Sequence, residues 1–136
     1  MAGYRSAILT MRQELDLYAN LRPCRSIPHE SSRPGIDLLV VRENTEDVYV
    51  GIGGVFKKGT PDEVATQEMI ATRKGVERCL RYAFEFTRQR NRRRKLTLCA
   101  KTNVLTYAHD LWWRAFNELA PEYPEVQIDY AHVDAT

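Results

Sequence analysis

Ile36-Asp37-Leu38-Leu39-Val40-Val41 is a leucine and β-branched run that turns polar at Arg42-Glu43-Asn44-Thr45-Glu46-Asp47. Its unbroken apolar character predicts a strand buried on both faces, of the kind found in sheets covered by helices. The downstream sequence supplies such helices. Thr72 to Arg90 carries Val76, Leu80, Ala83, Phe84 and Thr87 on one helical face, with Lys74, Glu77, Arg81, Glu85 and Arg88 on others. Lys95 to Lys101 reads as a short apolar strand, Ala108 to Leu119 as a helix bearing Trp112, Ala115, Phe116 and Leu119, and Val126 to Val133 as another strand. Strands alternating with helices predict an α/β unit.

Upstream, Ile8, Leu9, Met11, Leu15 and Tyr18 recur at helical spacing from Ser6 to Tyr18, with Ser6 a candidate N-cap. Asn20 and Pro23 follow as stop signals, so Leu21 to Ile27 is expected to run extended, and 28–35 is a polar loop. Between the central run and the long helix, Tyr49 to Phe56 reads as a strand interrupted by glycines. The Lys57-Lys58-Gly59-Thr60-Pro61 turn then leads to a return strand from Glu63 to Ile70. The pair looks like a protruding arm. No internal repeat or low-complexity linker is present.

The bulk properties bound the function. A chain of 136 residues, 43% hydrophobic and 28% charged, suits one domain with a genuine core and argues against disorder. No apolar run is long enough to span a bilayer and the start lacks a signal-peptide core, so a cytoplasmic protein is expected. Cys24, Cys79 and Cys99 are odd in number and widely spaced, against both a disulfide framework and a structural zinc site. A net charge of +2 implies no nucleic-acid partner by itself.

Three arginines stand where arginine is not the bland choice: Arg12 on the first helix, Arg22 before a proline, and Arg42 at the end of the central strand. A guanidinium grips a carboxylate with two parallel hydrogen bonds, and strand ends are where α/β sheets bind ligands, so together they suggest a di- or tricarboxylate site. Tyr49, after the polar turn, is a candidate general acid, and Lys101, at the end of a strand, a candidate base. Asp134 closes the last strand and could give one oxygen to Mg²⁺ or Mn²⁺. Taken singly, each has an ordinary structural explanation in ion pairs, packing or turns.

Four segments in order change that balance. Arg12-Gln13-Glu14-Leu15-Asp16-Leu17-Tyr18-Ala19-Asn20-Leu21-Arg22-Pro23, Val41-Arg42-Glu43-Asn44-Thr45-Glu46 with Tyr49, Lys101-Thr102-Asn103-Val104 and Val133-Asp134-Ala135 resemble successive motifs of the metal-dependent β-decarboxylating 2-hydroxyacid dehydrogenases, the isopropylmalate, isocitrate, tartrate and malate group. The resemblance covers nearly the whole chain. It implies a partial substrate-binding and dimerisation domain of the isocitrate/isopropylmalate dehydrogenase-like α/β fold with a β arm. Residues 1–18 would belong to the edge of the cofactor domain, and 19–136 to the substrate domain.

By the same resemblance Arg12, Arg22 and Arg42 hold the substrate carboxylates, and Tyr49 protonates the enol left when carbon dioxide departs. Lys101 helps remove the hydroxyl proton, Asn103 lies near the nicotinamide of NAD or NADP, and Asp134 is a ligand of Mg²⁺ or Mn²⁺. Lys101 and Asp134 enter from the neighbouring subunit, which implies a homodimer with shared sites. Isocitrate-type members carry serine and asparagine six and four residues before the first arginine; here Ser6 and Ile8, followed by Leu9, favour an isopropylmalate or tartrate/malate substrate. A glycine-rich amino-terminal strand, paired metal aspartates after Asp134 and an adenine loop are not found, so no turnover is expected from this chain alone.

Two other readings stand beside this one. Arg88 to Lys95 holds six cations in eight residues and could contact phosphates in a nucleic-acid-binding module, although cations are also favoured at a helix's carboxyl end. A non-catalytic regulatory paralogue is the other, against which the presence of every candidate site residue counts.

Overall fold

A computed structural model of the chain describes residues 6–135; the first five positions of the 1–18 segment and Thr136 lie outside the described residues. The core is built on α2 (Arg73–Arg90), whose apolar stripe buries Val76, Cys79, Leu80, Ala83 and Phe84. Thr72 caps it, its hydroxyl accepting the Gly75 N–H at 3.0 Å. Asn91 ends it in the left-handed conformation, φ 46°, which asparagine tolerates better than most residues.

Against α2 pack the second helix and the strand pair of the carboxyl half. Strand β5 (Lys95–Ala100) runs parallel to β6 (Gln127–His132), with α3 (Ala108–Leu119) between them in sequence. Leu98 and Ala100 of β5 face Ala115, Phe116 and Leu119 of α3, together with Tyr123 and Val126. Phe84 stacks on Phe116 and Tyr123, with ring centroids 5.4 and 4.7 Å apart.

The amino half is a second, antiparallel pair. β1 (Ala19–Arg25) and β2 (Asp37–Glu43) pair from Ala19↔Glu43 to Arg25↔Asp37. The expectation of a strand buried on both faces does not hold within this chain: Leu39 and Val41 are half-buried, but Leu38 and Val40 on the other face are 48% and 46% exposed. The reason is that, among the described residues, α2 packs against β2 and β1 is its only strand partner.

The first helix is shorter than its periodicity predicts. α1 (Ala7–Glu14) stops at Leu15, and Asp16 takes φ 47°. Arg78 of α2 fixes this reversal, donating to Asp16 Oδ1 and Oδ2 at 2.8 and 2.7 Å and lying over the Tyr18 ring at 4.7 Å. Ser6 occupies the N-cap position, but its side chain makes no capping bond; its carbonyl accepts the Thr10 N–H instead.

The arm is present as the hairpin β3 (Gly53–Phe56) and β4 (Val64–Gln67), exposed along both strands. Tyr49 is not on a strand. It lies in a 3-10 turn, Val48–Val50, because Asp47 (φ 69°) and Gly51 (φ 74°) break the extended backbone on either side.

Candidate functional site

In the β1–β2 register Asn20 faces Arg42 and Arg22 faces Val40, so residues 20, 22 and 42 share one side of the ribbon. Arg22 Nε donates to Asn20 Oδ1 at 3.2 Å. The Arg42 guanidinium lies over the Tyr49 ring, 4.8 Å from its centroid. Thus Arg42 and Tyr49 meet at one end of the ribbon, and Arg22, opposite Val40 at its middle, lies on the same side. Arg12 stands in the last turn of α1, four residues after Ile8 and three after Leu9, so all three share the helix's side. Leu9 is half-buried and Ile8 exposed.

Ion pairing separates these arginines from most others. Among the described residues Arg12, Arg22 and Arg42 have no carboxylate partner, a property shared with Arg33, Arg93 and Arg94. Arg25, Arg73, Arg78, Arg81, Arg88, Arg90, Arg92 and Arg114 all have one. An unpaired guanidinium on the same side of a ribbon as another is available to a carboxylate ligand.

The second group forms because β5 and β6 are parallel and end together, Ala100 opposite His132. Lys101 and Asp134 therefore leave the sheet at the same edge. A 3-10 turn, Val133–Ala135, brings the Asp134 carboxylate to Lys101 Nζ at 3.0 Å. The Lys101 hydrogen bond holds the Asp134 carboxyl below the usual carboxylate range. Among the described residues, no hydrogen bond or ion pair links Lys101 or Asp134 to Arg22, Arg42 or Tyr49. Asn103 sits exposed in the turn after Lys101.

Several residues that hold these groups in place were not singled out in the sequence. Glu43 closes the polar turn, its carboxylate accepting from Thr45 N–H, Thr45 Oγ1–H and Glu46 N–H. Glu46 accepts from the Thr72 N–H at 2.9 Å and from its hydroxyl, tying the turn to the start of α2. The buried Asn44 amide donates to the Leu17 carbonyl at 3.0 Å, fixing the exit from α1. His109 accepts the Lys101 N–H, and Tyr130 accepts the Thr102 N–H. The Asn44–Leu17, Glu46–Thr72 and Tyr130–Thr102 ties join residues far apart in sequence; in sequence alone the only signal was a polar side chain inside a motif or helix.

Other features have structural explanations. In the run Arg88 to Lys95, Arg90 and Arg92 converge on Asp37 with Arg25, Arg88 pairs with Glu85 and Glu125, and Lys95 pairs with Asp129. Desolvation pushes the Asp37 carboxyl up, but the Arg90 hydrogen bond and the three guanidinium charges together hold it below its ordinary value. Four of the run's six cations are therefore paired, Arg93 and Arg94 being without a carboxylate partner among the described residues. Burial pushes the Cys79 thiol up to about 12, so it is inert, and no disulfide links Cys24, Cys79 or Cys99. No described helix is long and apolar enough to cross a membrane. Among the described residues no cluster of three or more His, Cys, Asp or Glu side chains could hold a metal, and Asp134 alone offers too few ligands for Mg²⁺ or Mn²⁺.

A family model described as isocitrate/isopropylmalate dehydrogenase matches residues 2–136. The chain belongs to that family. It is 53% identical over 135 residues to the 3-isopropylmalate dehydrogenase of Frankia casuarinae, covering 96% of this chain and 39% of that protein. The 3-isopropylmalate dehydrogenase of Thermobifida fusca is 50% identical, with 96% of this chain and 38% of that protein covered. The crystal structure of isocitrate dehydrogenase from Methylococcus capsulatus superposes with a TM-score of 0.89 at 40% identity, covering 98% of this chain and 39% of that one. The α/β architecture is thus that of the family's dehydrogenases, and the chain spans about two-fifths of their length.

Proposed function

We propose that this chain is the substrate-binding part of a metal-dependent, NAD- or NADP-linked dehydrogenase. The enzyme would oxidise and β-decarboxylate a 2-hydroxy dicarboxylic acid, with isopropylmalate ahead of tartrate or malate. The observation that carries this reading is the contact of Arg42 with Tyr49 and the placing of Arg22 on the same side of the ribbon, both arginines without a carboxylate partner among the described residues. The identity to 3-isopropylmalate dehydrogenases supports the isopropylmalate branch, as do Ile8 and Leu9 on the same side of α1 as Arg12.

In this reading Arg12, Arg22 and Arg42 bind the two carboxylates, and Ile8 and Leu9 receive the hydrocarbon group. Lys101 takes the proton of the substrate hydroxyl, and Tyr49 returns a proton to the carbon that loses carbon dioxide. Asn103 contacts the nicotinamide, the hydride acceptor, and Asp134 contributes one metal ligand. Residues 1–18 form the edge of the cofactor domain and 19–136 the substrate and dimerisation domain. Two subunits share each site, with the arm at 49–70 pairing across the dimer so that its exposed strand edges are covered. A cytoplasmic location belongs to the same reading, in keeping with three cysteines that form no disulfide. The chain by itself is inactive, one carboxylate being too few for the metal.

The test is NAD(P)H formation by the complete protein with Mn²⁺, offered isopropylmalate, isocitrate, tartrate and malate separately. Selective turnover of isopropylmalate is expected. Silence on all four from a folded dimer would defeat the reading in favour of a regulatory paralogue.

A further inference from the structure

Lys101 leaves β5 where strand pairing ends, the last partners being Ala100 and His132. Side chains take over from the sheet at that point. The Lys101 N–H donates to His109 Nδ1 at 2.7 Å, with His109 in the first turn of α3. The next N–H, that of Thr102, donates to the Tyr130 hydroxyl of β6 at 3.2 Å, and this hydroxyl also shares a hydrogen with Thr102 Oγ1 at 2.9 Å. The loop closes on itself as well: the Lys101 carbonyl accepts the Leu105 N–H at 2.9 Å, and the Leu105 carbonyl accepts the His109 N–H at 3.1 Å. Two successive amides beyond a strand end, each taken by a side chain from a different element, fix the direction of the Lys101 Cα–Cβ bond. That direction decides where the amine reaches, here to Asp134 Oδ2 at 3.0 Å. An imidazole accepting through Nδ1 carries its proton on Nε2 and is neutral.

We propose that His109 is a positioning residue for Lys101, setting through the Lys101 amide the backbone from which the amine reaches the reacting hydroxyl. For what Lys101 does, the proposal rests on the dehydrogenase reading; for how Lys101 is held, it does not.

The experiment uses the complete protein, with His109→Leu, which removes the acceptor at similar bulk, and His109→Asn, whose amide oxygen can stand near the place of Nδ1. Steady-state kinetics are read together with acylation of Lys101 by mass spectrometry, using the exposed arm lysine Lys57 as internal standard. His109→Leu is expected to lower kcat roughly 10- to 100-fold with little change in KM, because the lysine serves the chemical step and the arginines the binding. Acylation of Lys101 relative to Lys57 should rise several-fold as the lysine leaves Asp134, and His109→Asn should restore both readouts. Wild-type kcat and acylation in His109→Leu would overturn the proposal, as would a loss that His109→Asn fails to restore. If His109→Leu does not fold, His109→Ser, too short to reach the amide, replaces it with the same outcomes. If the wild-type protein is silent on every substrate, the dehydrogenase reading fails, and acylation alone decides whether His109 holds Lys101.

Discussion

Gly75 sits in the first turn of α2 with the Glu46 carboxylate where a side chain would go, 2.5 Å from the position of a Cβ. Alanine there would gain about 1 kcal/mol of helix propensity. It would also push Glu46 far enough to lose one of its charge-assisted hydrogen bonds to Thr72, worth about 1.5 to 3 kcal/mol. The second effect should win, so Gly75→Ala is expected to destabilise by roughly 0.5 to 2 kcal/mol in denaturant melts. In a Glu46→Ala background the same substitution should become stabilising, and a destabilisation of equal size there would refute the account. His109 carries the pH prediction. Burial lowers its pKa from 6.5, the Asp47 charge pulling it back upward. The unfolded chain therefore binds the proton at higher pH, and stability rises with pH between the two values. This contribution is complete above 6.5 and is lost as pH falls through the lower folded value. Melting temperatures should thus fall more steeply on acidification for wild type than for His109→Asn; parallel curves would count against it. At this scale the sequence marked Arg12, Arg22, Arg42, Tyr49, Lys101 and Asp134 as candidates, through their types at strand and helix ends and the motifs that contain them, and their roles stay proposals. It hid Glu46, whose partner Thr72 is 26 positions away, and His109, which looked like one polar position on a helix.

Elements whose apolar pattern is satisfied inside the chain were legible; those shaped by a distant contact were not. α2, α3, β5 and β6 were readable to within a residue or two because their stripes pack on one another. α1 ended early because Arg78, 62 positions from Asp16, favours a left-handed residue there. Tyr49 left the strand conformation because a non-glycine residue, Asp47, adopts positive φ, which no apolar period reports. Two substitutions test the packing. Phe84 is fully buried between Phe116 and Tyr123, so Phe84→Ala should cost about 3 to 5 kcal/mol in the folded complete protein, read by chemical denaturation. Gly53 has φ 152°, and a Cβ there would stand 2.2 Å from the Thr66 carbonyl oxygen, whereas one at Gly54 would meet nothing within 4 Å. Gly53→Ala should therefore unpair β3 from β4 and speed tryptic cleavage at Lys57 and Lys58, while Gly54→Ala leaves the rate unchanged. Equal rates in the two variants would mean that the close approach does not control the arm.

For the whole molecule the central question is where one site ends and the next begins. The chain places Arg42 with Tyr49 at the end of the antiparallel ribbon, with Arg22 on the same side, and Lys101 with Asp134 at the end of the parallel one. Within one chain, no described hydrogen bond or ion pair connects the two groups. If each active site takes the first group from one subunit and the second from its partner, two separately inactive variants should complement each other. Tyr49→Phe removes the proposed proton donor and Lys101→Met the proposed base, so each homodimer should be inactive. In a hybrid dimer, one site collects both lesions and the other collects none. Random pairing of equal amounts makes half the dimers hybrids, and half the sites in each hybrid are intact, so co-expression should recover about a quarter of wild-type activity. If both groups came from the same chain, every site would carry one lesion and co-expression would recover nothing. Recovered activity should also disappear when the arm is unpaired by Gly53→Ala, because sharing requires the subunits to stay together. Recovery that survived loss of the dimer by sedimentation would show that the two groups meet without a partner.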